Sequence, residues 1–198
     1  MTYIPRHKDN QIFDVQFDET GATEIMTLTE LKAHLQITYT DDDTYLTLLI
    51  KSVRQAVERF CNISMVAKTV TLLGDFHCEF ELPYGPVTAL TSASLKTGAG
   101  SYTAQTANTD YELDGITNSF QIFRPFVSGR WKLVYAAGYS SLSTIQDLVL
   151  DCKRIGGYCY ENKGDQALTS LQGGQQQPKA LDEALELFAN KHRRMQYI

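Results

Sequence analysis

The period of the apolar pattern changes twice along this chain, and nothing else in the sequence constrains the fold as strongly. Between Met26 and Phe60 apolar side chains recur at the spacing of one helix face. Between Lys68 and Ala136 they alternate with polar or small residues, the spacing of one face of a strand. Between Ile145 and Cys159 the helical spacing returns. A chain patterned this way is expected to be α+β: a helical bundle with an inserted small antiparallel β module, plus N- and C-terminal arms.

Local signals sharpen the boundaries. Thr27-Leu28-Thr29-Glu30 reads as a capping box opening a helix whose apolar stripe is Leu28, Leu31 and Leu35. Asp41, Asp42 and Asp43 then stand where acids favour a helix start, and read as a solvated cap. The stripe behind them is Leu46, Leu49, Ile50, Val53, Val57 and Phe60, with Lys51, Arg54, Glu58 and Arg59 placed mostly off it. The β pattern is carried by Val70/Leu72, Phe80/Leu82, Tyr111/Leu113, Phe120/Ile122 and Trp131/Leu133/Tyr135, punctuated by the turn-rich Pro83-Tyr84-Gly85-Pro86. The third helix lines Ile145, Leu148, Val149, Cys152, Ile155 and Cys159 along one face. Gly156-Gly157 interrupts it, marking close helix packing or a bend.

The expected organisation is an N-terminal arm over 1–25, with at most a short extended piece at Gln11-Ile12-Phe13. Helical bundle follows over 26–65 and 140–164, with the β module at 66–139. A polar, low-complexity link covers 165–178, and a C-terminal helix and tail covers 179–198. That last helix carries Leu181, Leu185 and Phe188 at helical spacing, with the basic Lys191, Arg193 and Arg194 at its end.

The chain of 198 residues is long enough to bury a core, and its 43% hydrophobic content is that of a folding chain. A net charge of -5 gives no general attraction to nucleic acid. No apolar run approaches the ~18 residues of a membrane span, and the first residues lack the apolar core of a secretory signal. Cys61, Cys78, Cys152 and Cys159 lack CxxC spacing and read as reduced, buried thiols.

No motif completes a catalytic site. Asn162-Lys163-Gly164-Asp165 matches a guanine-recognition string, but no GxxxxGK[ST] loop accompanies it to hold phosphates; a helix end at Gly164 is the plainer reading. His7, His34, His77 and His192 show no metal-ligand spacing. Gly138-Tyr139-Ser140-Ser141 lacks the second glycine of a nucleophile elbow. No cofactor is implied. The basic end Lys191-His192-Arg193-Arg194 fits a nucleic-acid contact, a helix end matched to its dipole, or a peptide arm docking on a protein partner.

The order of pieces resembles the tailed-bacteriophage head–tail connector (adaptor) family. The resemblance rests on Met26 to Leu35, on Asp41 to Leu46 running into Ala56-Val57-Glu58, and on Leu82-Pro83-Tyr84-Gly85-Pro86-Val87. It continues through Asp110 to Asp114, Leu133 to Tyr139 and Tyr158 to Lys163. No single string is specific, but their order and spacing over Met26 to Lys163 are. The resemblance implies a structural, non-enzymatic virion protein of the neck, assembled in the host cytoplasm. It implies a closed homo-oligomeric ring of about twelve subunits under the portal, extending the DNA channel and joining a downstream neck or tail protein. DNA would pass through without being held, and no membrane is involved. Within that picture Leu181, Leu185, Phe188, Lys191, Arg193 and Arg194 are the expected portal-docking residues, the alternative being that this helix folds back on its own bundle. The competing readings are another neck or tail-completion ring protein, a small hydrolase or nucleotide-binding enzyme, and a DNA-binding regulator disfavoured by the acidic charge.

Overall fold

Strands β1 (Gln11–Asp18), β2 (Lys68–Phe76), β3 (Phe80–Glu81), β4 (Val87–Lys96), β5 (Tyr102–Ala104), β6 (Tyr111–Asp114), β7 (Ser119–Ile122) and β8 (Gly129–Ala137) form one unit of the chain. Helices α1 (Leu28–Leu35), α2 (Asp43–Cys61) and α3 (Gln146–Glu161) form a second. The computed structural model describes residues 11–76, 79–114, 118–123 and 129–161. The fold is α+β.

The β unit is built on a five-stranded antiparallel sheet ordered β1-β2-β8-β4-β5, with a three-stranded sheet ordered β3-β7-β6. Its longest ladder runs without a register shift from Lys68↔Ala137 to Phe76↔Gly129, so the residues that enter and leave the inserted stretch are cross-strand neighbours. That register puts Val70, Leu72 and Phe76 on the same buried face as Trp131, Leu133 and Tyr135. Aromatic contacts join the two sheets: Phe76 stacks on Phe80 at 4.1 Å, and Phe120 meets Trp131 edge-on at 6.0 Å. Asn118, in the left-handed region at φ 56°, accepts the Val87 N–H on its side chain at 2.7 Å and the Leu82 N–H on its carbonyl at 3.0 Å. Tyr135 donates its buried hydroxyl to the Pro83 carbonyl at 2.7 Å, fixing the Pro83–Pro86 turn.

The N-terminal region departs from the expected arm. Gln11–Asp18 is a full strand at the edge of the five-stranded sheet, pairing with β2. Val15 faces Leu72 and Phe17 faces Val70, but Phe13 is an extra, bulged residue between Ile12 and Asp14. The bulge breaks the alternation, which is why the sequence shows only a short extended piece. Gly74 opposite Ile12 is required: a Cβ there would run into the Gln11 carbonyl and the Phe76 ring. Strand β4 was hidden for the same reason, since its pairing with β8 carries irregularities at Val87/Ala89 and Leu90/Ser92.

In the helical unit the three helices pack on one another in pairs. The capping box is formed: Glu30 N–H donates to Thr27 Oγ1 at 3.2 Å, and Thr27 N–H to Glu30 Oε2 at 2.8 Å. Helix α3 runs through Gly156-Gly157 without a break. A Cβ at Gly157 would stand 3.0 Å from Leu35 Cδ2 and one at Gly156 3.6 Å from Leu31 Cδ1, so the glycines serve close packing against α1.

Two expectations for α2 are overturned. Phe60 is exposed, while Arg54 and Glu58 are 1% and 2% exposed, and Cys61 closes the buried stripe. The charged pair is buried because its members satisfy one another across one helical turn. The aspartates are more than a solvated cap. Asp42 makes no side-chain cap bond; its carboxylate accepts from the Tyr160 hydroxyl. Asp43 takes Lys32 Nζ at 2.6 Å. Both hold the α1–α2 loop against its neighbouring helices. Asn62 ends α2 in the left-handed region at φ 56°.

Candidate assembly surfaces

The polar groups with chemical potential are occupied in holding the fold. Arg54 donates to Glu58 at 2.8 Å and to Glu24 at 2.8 Å through Nε. The other Glu58 oxygen accepts the Met65 N–H at 2.6 Å. The Cys152 thiol is pushed up to about 12, chiefly by burial and next by the charge of Asp151. Its nearest polar partner is Met65 Sδ, at 4.0 Å. A thiol so raised is a small hydrophobe, not a nucleophile or ligand. Burial also raises the half-buried Cys159 thiol. Among the described residues no group of three or more His, Cys, Asp or Glu side chains is arranged to hold a metal ion. No described helix is long and apolar enough to cross a membrane.

What the structure offers instead is surface. On the β unit, strand β1 lies at a sheet edge, and edge strands carry unpaired backbone groups that template pairing. Ile12, Phe13 and Phe17 along it are 47%, 48% and 37% exposed. Phe17 packs edge-on to Tyr84 and beneath the Lys68 ammonium, and Arg130 covers the Phe13 ring.

On the helical unit, an aromatic patch surrounds the start of α2. Tyr39 and Tyr160 share a hydroxyl–hydroxyl bond of 2.7 Å, the Tyr45 and Tyr160 rings lie 6.2 Å apart, and Leu48, one turn on, is 64% exposed. Hydrogen bonds to Asp42 and Tyr39 hold the Tyr160 hydroxyl well above its ordinary pKa, so it stays a neutral donor. A groove of about 670 Å³ opens between the segment leading into α1 and the first turns of α3. Its apolar lining includes Ile25, Met26, Leu142, Val149 and Leu150.

None of these surfaces was legible as a site. The six residues expected to dock, Leu181, Leu185, Phe188, Lys191, Arg193 and Arg194, lie outside the described residues. So do Asn162 to Asp165, Cys78, His7, His77 and His192. Of the histidines only His34 is described, and it is exposed on α1. The alternation Val15, Phe17 was the one available sign of β1.

Comparison with known proteins bears on the family and the fold. The family model described as "Phage gp6-like head-tail connector protein" matches residues 25–121, from the segment before α1 into β7. Over those residues the chain belongs to the phage head–tail connector family. It is therefore a structural protein of the phage neck class. A likeness of fold to solved structures extends past the matched stretch. A chain from the neck of an empty gene transfer agent particle, computed with C6 symmetry, superposes with a TM-score of 0.63 at 17% identity, over 89% of this chain and 97% of that one. A chain from the neck of the native particle, computed with C12 symmetry, gives 0.58 at 18% identity, over 89% and 97%. At such identity the likeness is one of fold. No curated protein matches the connector chain.

Proposed function

We propose that this connector chain is one copy of a closed ring that docks under the portal, extends the DNA channel and receives the next neck or tail protein. The observation that carries the reading is the family match over α1, α2 and strands β2 to β7. The fold shared with neck chains of symmetric particles supports it. A ring needs contacts that join unlike patches and close on themselves. The β1 edge and the aromatic patch of α2 are exposed surfaces suited to such contacts. The chain acts in the virion without catalysis, in keeping with a family of structural proteins. Its net charge of -5 suits a conduit, since few clustered cations means little counterion release and little grip on passing DNA.

Within this role the C-terminal residues Leu181, Leu185, Phe188, Lys191, Arg193 and Arg194 dock on the portal. The division of labour runs as the sequence divides: helical bundle at 26–65 and 140–164, β module at 66–139, link at 165–178 and docking tail at 179–198. Native mass spectrometry of the chain mixed with its portal tests the reading. A portal complex heavier by a full ring of connector copies is expected. Portal that never gains connector mass would overturn the proposal.

A further inference from the structure

The groove on the helical unit has an apolar floor of buried Ile25 and Met26 and a wall formed by Leu142, Val149 and Leu150, the last 42% exposed. Its rim carries three acids, Glu24, Glu30 and Asp147, against the single base Lys153, with Glu24 already paired to Arg54. An amphipathic helix with apolar anchors at i, i+4 and i+7 and a basic end is the ligand such a groove recognises. The chain carries that pattern in Leu181, Leu185 and Phe188, followed by Lys191, Arg193 and Arg194.

We propose that the groove holds the chain's own C-terminal segment, residues 179–194, in the subunit before assembly. Three arguments converge on that occupant. The first is charge, since a basic segment meets an acidic rim. The second is shape: one short helix cannot bury its own stripe, and among the described residues nothing covers the half-exposed leucine on the groove wall. The third is reach. From Glu161 back to Leu150 is roughly 17 Å along α3. If residues 162–178 act as a flexible tether, their r.m.s. span would be roughly 23 Å. A tether matched to its span gives the highest effective concentration, so the chain's own segment outcompetes that of a second copy. Portal docking of the same residues then exchanges one partner for another, and the segment is withheld until portal is present.

Thiol pairing in the full-length chain tests the contact. Leu150→Cys is combined with Leu185→Cys, and Leu142→Cys with Phe188→Cys as a second pair in case the first is misaligned or poorly folded. At low micromolar concentration, oxidation should join the two introduced thiols of at least one pair within a single chain, read by peptide mass spectrometry. Replacing Lys191, Arg193 and Arg194 by Glu should slow that bond several-fold. A bond found only between chains would assign the groove to a second copy, and no bond in either pair would leave the segment elsewhere; both results overturn the proposal. Portal binding of the same variants separates this inference from the docking role. Because Leu185 and Phe188 are themselves docking residues, oxidised and reduced forms of one variant are compared, and the oxidised form should bind portal several-fold less. A parent chain that fails to bind portal counts against portal docking while the groove contact stands.

Discussion

Glu58 and Met65 meet where α2 ends and the chain turns toward β2: the carboxylate accepts the Met65 backbone N–H at 2.6 Å while its second oxygen holds Arg54 at 2.8 Å. Removing one partner of a buried ion pair strands the other. Glu58→Ala should therefore cost about 3–5 kcal/mol, whereas an apolar pair at both positions should recover much of that loss. Urea denaturation measures both. A Glu58→Ala loss below about 1 kcal/mol would show the network to be dispensable.

The two glycines of α3 should behave differently. Alanine gains up to about 1 kcal/mol over glycine in a helix. At Gly156 the added Cβ meets Leu31 at ordinary contact distance, so Gly156→Ala should raise stability. At Gly157 the Leu35 methyl at 3.0 Å must give way, so Gly157→Ala should gain less or lose. Thermal melts of the two variants, side by side, decide it; equal shifts would contradict the packing argument.

The capping box carries a pH signature. The Thr27 backbone N–H holds the Glu30 carboxyl below its usual value, with burial opposing and Lys153 and the Thr27 side chain assisting. A depressed carboxylate stabilises the fold above its unfolded pKa and loses that contribution as pH falls through the folded one. Glu30 is exposed, so the effect is small, well under about 1 kcal/mol. Thr27→Ala should cost about 1 kcal/mol at pH 7. Glu30→Gln should flatten part of the melting-temperature loss between pH 5 and pH 3, and identical acid profiles for Glu30→Gln and the parent chain would contradict it.

How far the sequence discloses this fold depends on whether its periods are clean. Helices α1 and α3 and the β2–β8 ladder follow from apolar spacing alone, because each buries a single uninterrupted face. Strand β1 is masked by the Phe13 bulge and β4 by its two register shifts, since one extra residue moves every later side chain to the other face. Arg54 and Glu58 were misplaced because charge ordinarily signals solvent, and only tertiary structure supplies Glu24 and the Met65 amide that make their burial tolerable. The groove was illegible for another reason: it joins residues near Ile25 to residues near Leu150, far apart in sequence and individually unremarked.

Imaging bears most directly on the connector role. Portal particles incubated with the full chain and viewed by electron microscopy should gain a ring of density at one end, with the connector copies related by rotation about the portal axis. Portal particles that remain bare at saturating connector concentration would contradict it.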